Sequence, residues 1–212
     1  MCSTPSNKSS TSPHFSPVTV KDSPVKKIHQ CGNLTGNCRR LRDLAAELFN
    51  LIQEWNTQHL LGVQIVKSIM NLKHPVLIGC DMGSSTQTYP DGLQELCDEL
   101  SEIVLIMERV VEKMEVIPRQ MRSVATLEKL NSMNKAPLFL TWPSEKFGEV
   151  SEEILEAYKC ELKIKNKVKR TIAHSTSIEA LMYYTALWVH QTDVDSKIDL
   201  LVESLLLETG HR

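Results

Sequence analysis

Aromatic residues make up only 5% of this 212-residue chain, and it holds just 8 glycines and 9 prolines. That scarcity argues against a protein of many short strands joined by turns, and the surplus of Leu, Glu, Lys, Ser and Met points to helices instead. No apolar run exceeds five residues, Ile103 to Met107 being one of that length, far below the roughly 20 that a membrane-spanning helix requires. Neither sign of charge dominates: 24 Lys+Arg stand against 26 Asp+Glu, a net charge of -2. The chain as a whole therefore lacks the positive field of a nucleic-acid binder, and such a role would need a local patch. The six cysteines, Cys2, Cys31, Cys38, Cys80, Cys97 and Cys160, include no C-x-x-C pair. No apolar segment after Met1 has the form of a secretory signal, so reduced thiols in a cytosolic or nuclear protein are expected.

The first 24 positions carry seven Ser, three Thr and four Pro, and little that is apolar. Such a segment cannot bury enough surface to offset its conformational entropy, and residues 1–37 are predicted to form a disordered tail. Four proline-directed dipeptides lie in it: Thr4-Pro5, Ser12-Pro13, Ser16-Pro17 and Ser23-Pro24. The last continues into Val25-Lys26, the pattern that cyclin-dependent kinases prefer. Ser23 and Ser16 are the phosphorylation candidates.

Heptad counting organises the rest of the chain. A seam through Leu41, Leu44, Leu48, Leu51, Trp55, Gln58, Gly62, Ile65, Ile69 and Leu72 is broken only at Gln58 and Gly62, and His74-Pro75 is expected to stop the helix. Residues 76–92 then read as a loop. A second seam, Leu93, Leu96, Leu100, Ile103, Met107, Val110, Met114, Ile117, Met121 and Val124, is apolar throughout; it predicts a long packed helix with a kink or break near Pro118. A less regular stripe through Phe147, Val150, Ile154, Tyr158, Leu162, Val168 and Ile172 predicts a third helix over 144–173. Thr176 and Glu179 suggest a capping box for a fourth helix over 180–190, and a fifth carries Ile198, Leu201, Val202 and Leu205 towards a stop at Gly210. The predicted architecture is all-α: an elongated helical bundle with a coiled-coil hairpin over 38–134, and over 135–212 a connector and a short C-terminal helical pair that complete the bundle.

No nucleophile with a nearby base, no metal-ligand spacing and no phosphate loop stands out. Cys31 and Cys38 with His29 fit no common zinc pattern, and His174 and His190 read as packing or capping residues near helix ends. Charge is more informative. Eight acids lie between Asp91 and Glu115, and six bases lie between Lys159 and Arg170. Packed antiparallel, those helices would attract; the competing reading of 159–170 is a basic ridge for nucleic acid, though it lacks interleaved aromatics for stacking. The segment PLFLTWP at 137–143 and the triple Leu205-Leu206-Leu207 expose apolar groups unless something covers them. Either they pack on their own bundle or they form a surface for another protein.

PLFLTWP at 137–143, Leu187-Trp188-Val189-His190-Gln191 and the terminal LLLETGHR at 205–212 resemble the cyclin-dependent kinase 2-interacting protein family. Weaker similarity runs through Leu51-Ile52-Gln53-Glu54-Trp55, Asn71-Leu72-Lys73 and Leu96-Cys97-Asp98-Glu99-Leu100. The resemblance implies a nuclear, non-catalytic helical adaptor without cofactor or metal. It would associate with cyclin-dependent kinase 2, with replication origin and initiation factors, and with a partner protein of a checkpoint kinase, in DNA replication and the DNA damage response. The family is also similar to subunits that work beside a AAA+ ATPase with a small coiled-coil protein in ribosome maturation and at replisomes. Leu138, Phe139, Trp142, Trp188 and Leu206 are the candidate partner contacts.

Overall fold

A computed structural model describes residues 36–80, 89–131 and 138–212. The chain divides into two units, Met1–Leu34 and Thr35–Arg212. The first unit, with Ser16, Ser23 and the predicted tail up to residue 35, lies outside the described residues, as do 81–88 and 132–137. The described part of the second unit is helical, with no strand among the described residues.

Helix α1 runs Gly36–Cys80, 45 residues, or roughly 68 Å at the usual rise per residue. Along its seam Leu41, Leu44, Leu48, Leu51, Trp55 and Ile69 are buried. The expected stop at His74-Pro75 does not occur, because the helix continues through Pro75. A proline here forfeits one hydrogen bond, and Leu77, a half-turn further on, packs against the core; that burial offsets the lost bond. The expected loop therefore cannot begin before residue 81.

The second seam folds as α2, Leu93–Met114, and α3, Val116–Asn131. Nine of its ten positions are buried and Leu96 is half-buried. The interruption is a single residue, Glu115, three before Pro118. The Glu115 amide still donates to the Val111 carbonyl at 3.1 Å, so the chain bends without leaving the helical path. Then come α4, Ser144–Thr171, a 3-10 turn over Ile172–His174, α5, Ile178–His190, and α6, Ser196–Glu208. The cap of α5 is Ser177 and not Thr176: Ser177 Oγ accepts from the Ala180 amide at 3.2 Å, while Thr176 is exposed. Asp195 caps α6 through the amides of Lys197 and Ile198. At its far end Gly210 takes φ +73, and the His211 amide reaches back to the Leu206 carbonyl at 2.9 Å. Such a left-handed C-terminal turn favours glycine.

Side-chain pairs between helices give the topology. Asn37, Arg40 and Glu54 of α1 meet Glu128, Gln120 and Lys113 of α3 and α2, so α2–α3 runs antiparallel to α1. Lys159, Glu152 and Glu145 of α4 meet Glu115, Arg122 and Lys129, so α4 is antiparallel in turn. Contacts of Trp188 with Gly62 and of Arg42 with Gly210 run α5 and α6, end to end, back along α1. The result is an up-down-up-down four-helix bundle whose second and fourth members are each broken once. One core runs through it, including Trp55 edge-on to Tyr158 at 5.2 Å.

Candidate interaction surface

Of the five predicted contact residues, Trp188 and Leu206 are interior, 0% and 3% exposed. Leu138, Phe139 and Trp142 are half-buried, with the Phe139 and Trp142 rings 5.6 and 5.4 Å from Phe147. The connector thus lies on its own bundle, and Leu140, 38% exposed, is its most outward apolar group. It is held there by one carboxylate. Glu208, 4% exposed, accepts from the amides of Thr141 and Trp142 at 2.6 and 2.8 Å and from the Thr141 hydroxyl at 3.0 Å. Three donors supply the negative charge with what it lost on leaving water.

The start of α1 closes the same corner. Cys38 Sγ donates to the Leu138 carbonyl at 3.7 Å, Arg42 donates to the Gly210 carbonyl at 3.2 Å, and His211 Nε2 lies 2.8 Å from the Arg42 carbonyl. Residues 138–143 of the connector and LETGHR at 207–212, far apart in the chain, are therefore one junction in space. Glu208 was missed in the sequence because a lone glutamate near a helix end looks like a solvated one.

The stretch Leu187–Gln191 belongs to a second cluster, centred on the buried Trp188, while His190 points outward. Where the chain breaks between α5 and α6, the end of α5 loses its regular hydrogen-bond partners. Two buried ions replace them. Lys165 Nζ donates to the Trp188 carbonyl at 2.6 Å, and Glu161 Oε2 accepts from the Asp193 amide at 3.2 Å. The two side chains, both 0% exposed, pair with each other at 2.9 Å, and the ammonium lies 4.7 Å from the Trp188 ring centre. Gln191, at φ +43, accepts from the Trp55 indole at 2.8 Å, and Trp188 Nε1 donates to the His59 carbonyl at 3.3 Å. Burial lowers the pKa of Lys165, with Glu161 opposing that shift, whereas His59 is lowered to about 4 by burial and then by the Lys165 charge. Lys165 and Glu161 are engaged with backbone and with each other, as structural members are, whereas the buried His59 Nδ1 has no hydrogen-bond partner among the described residues.

His174 and His190 do not meet. His174 Nδ1 is 3.3 Å from the Tyr89 hydroxyl, and His190 is exposed at the opposite end of α5, roughly 20 Å away along the helix. Among the described residues no group of three or more His, Cys, Asp or Glu could hold a metal, and no described helix is long and apolar enough to cross a membrane. Cys38 is described, while His29 and Cys31 are not.

The acidic and basic runs attract only in part. Lys159 pairs with Glu115 at 3.1 Å and with Glu156 at 3.3 Å, and Asn166 donates to Glu108 at 2.8 Å. Counting back along α2 in this register, Glu95, Asp98, Glu99 and Glu102 lie beyond the level of Arg170; among the described residues they have no ion-pair partner. Of the residues that would form a basic ridge, Lys163, Lys167 and Arg170 are exposed, while Lys159 is half-buried and paired with acids; Lys165 turns into the core.

The chain is similar to the cyclin-dependent kinase 2-interacting proteins of Mus musculus, at 34% identity, and of Homo sapiens, at 33%, each over 195 residues. It is 31% identical over 190 residues to that of Xenopus laevis. Each match takes in 84% of this chain and 92% of the relative. No family model matches.

Proposed function

This chain belongs to the cyclin-dependent kinase 2-interacting protein family, and from that premise we propose that it is a nuclear adaptor, acting by binding and not by catalysis, with cyclin-dependent kinase 2 as a partner. The observation that carries the reading is identity of 31–34% across 84% of the chain with relatives of that name. The bundle is consistent with it, since its most enclosed charged side chains among the described residues, Glu161, Lys165 and Glu208, serve backbone amides and carbonyls. On the resemblance of the connector and C-terminal segments, the proposal extends to replication origin and initiation factors, a checkpoint-kinase partner, and a AAA+ ATPase with a small coiled-coil subunit.

The contact surface proposed is the junction of connector and C-terminus. Leu140 and Leu207, 38% and 54% exposed, form its outward groups, and Leu138, Phe139 and Trp142 form its half-buried edge. Trp188 and Leu206 support it through the fold. The test is capture of the full chain on immobilised cyclin-dependent kinase 2, with Leu140→Asp, Trp142→Ala and Leu207→Asp in proteins that keep their helical circular dichroism. Binding should weaken about tenfold or more, as loss of an anchor does. Undiminished binding rejects the surface, and a wild-type chain that is not captured rejects the partner.

A further inference from the structure

A shallow groove of about 410 Å³ runs between the outer faces of α2 and α4. Its bed includes Val111 and Leu162, and its walls carry opposite charge, with Glu108, Glu112 and Glu115 on α2 facing Lys159, Lys163 and Arg170 on α4. Lys159–Glu115 at 3.1 Å and Asn166–Glu108 at 2.8 Å close it at two levels. In the register those pairs set, Glu112 stands across from Lys163, yet the two are not within ion-pair distance. Among the described residues Glu112, Lys163 and Arg170 have no ion-pair partner, and all three are exposed. The groove thus presents one unmatched acid and two unmatched bases, side by side, over apolar carbon.

A surface with its two signs arranged on either side of a line is complementary to itself. Rotation by 180° about an axis parallel to the helices lays α2 of one copy on α4 of another, with heights along the bundle unchanged. Glu112 of each copy then faces Lys163 of the other, twice over, as an isologous contact requires. A net charge of -2 over 212 residues sets little general repulsion against such an approach. We propose that this groove is a self-association surface, occupied by the same groove of a second copy, with Glu112 paired across the two-fold axis to Lys163. The pairing is electrostatic and partly exposed, so the dimer is weak and salt-sensitive.

The proposal is separate from kinase binding and is tested without the kinase. Native mass is measured over a concentration series at low and high salt for the full wild-type chain, for Glu112→Lys and for Lys163→Glu. Circular dichroism and melting temperature confirm that each variant is folded. The wild type should reach dimer mass with rising concentration, each variant alone should dissociate about tenfold more readily, and an equimolar mixture of the two variants should recover the dimer, because reversed acid meets reversed base at one contact and the native pair meets at the other. A wild type that stays monomeric throughout, leaving the groove to some other chain, overturns the proposal. So does a dimer that neither variant weakens, or a weakened one that mixing fails to restore.

Discussion

At Gly62 the absence of a side chain is the functional feature. A Cβ there would lie 2.2 Å from Cζ2 of Trp188, so the apparent gap in the first heptad seam is a notch cut for an indole from α5. Alanine normally gains about 1 kcal/mol over glycine inside a helix, but here overpacking opposes it by roughly 1–3 kcal/mol or more. Gly62→Ala should therefore lower the urea midpoint, and Trp188→Phe should recover part of the loss in the double variant; additive effects would mean the clash is relieved elsewhere. His59 gives a second residue-scale prediction. Its pKa is lowered from 6.5 to about 4 by burial and by Lys165, so the unfolded chain binds the proton more readily than the folded one between those values. The contribution is fully present above pH 6.5 and is lost as pH falls towards 4, for a total of roughly 3 kcal/mol. The stability difference between wild type and His59→Gln should change by about that amount across the window. A difference independent of pH would show that the ring is not held neutral.

The fourth member of the bundle shows why an element is harder to read than a seam. Hydrophobic spacing located every helix, but it passed over Glu161 and Lys165, which occupy inward positions of α4 between Tyr158 and Val168. Period counting treats a charge as outward-facing. These two turn inward because the neighbouring helix breaks, and its free carbonyl and amide need partners that only charged or polar side chains can supply. The Thr176 assignment failed for a smaller reason, since adjacent serine and threonine hydroxyls offer the same chemistry and the backbone chose Ser177. Lys165→Met should cost roughly 3–5 kcal/mol, because it leaves the Glu161 carboxylate buried without its counter-charge. Lys165→Met also orphans the Trp188 carbonyl, so Lys165→Met/Glu161→Leu should cost less than the single change: it removes the uncompensated buried charge and adds only the orphaned Asp193 amide, about 1–3 kcal/mol. Denaturant unfolding of both variants decides the matter; a double variant worse than the single would mean that the two ions act separately on the break.

Across the whole molecule, residues 36–42, 138–143 and 208–211 meet at a single junction at the end of the bundle where α1 begins. No periodicity announces this. The segments resembling the family could be seen in the sequence, but their convergence depends on the bundle turning the chain three times, and the sequence alone accordingly left the connector between core and surface. Glu208 decides between those states. Its carboxylate holds two backbone amides and one hydroxyl of the connector, and the Phe139 and Trp142 rings rest on Phe147 only while that backbone is held. With alanine at 208, the amides of Thr141 and Trp142 lose their acceptor, and the attachments that remain among the described residues include apolar contact and the weak Cys38 thiol bond. Amide hydrogen exchange in Glu208→Ala should therefore accelerate about tenfold or more at Thr141 and Trp142 while the amides of α2 stay protected. If exchange there is unchanged, the aromatic contacts alone secure the connector. If α2 exchanges faster as well, the carboxylate supports the entire bundle and not only this junction.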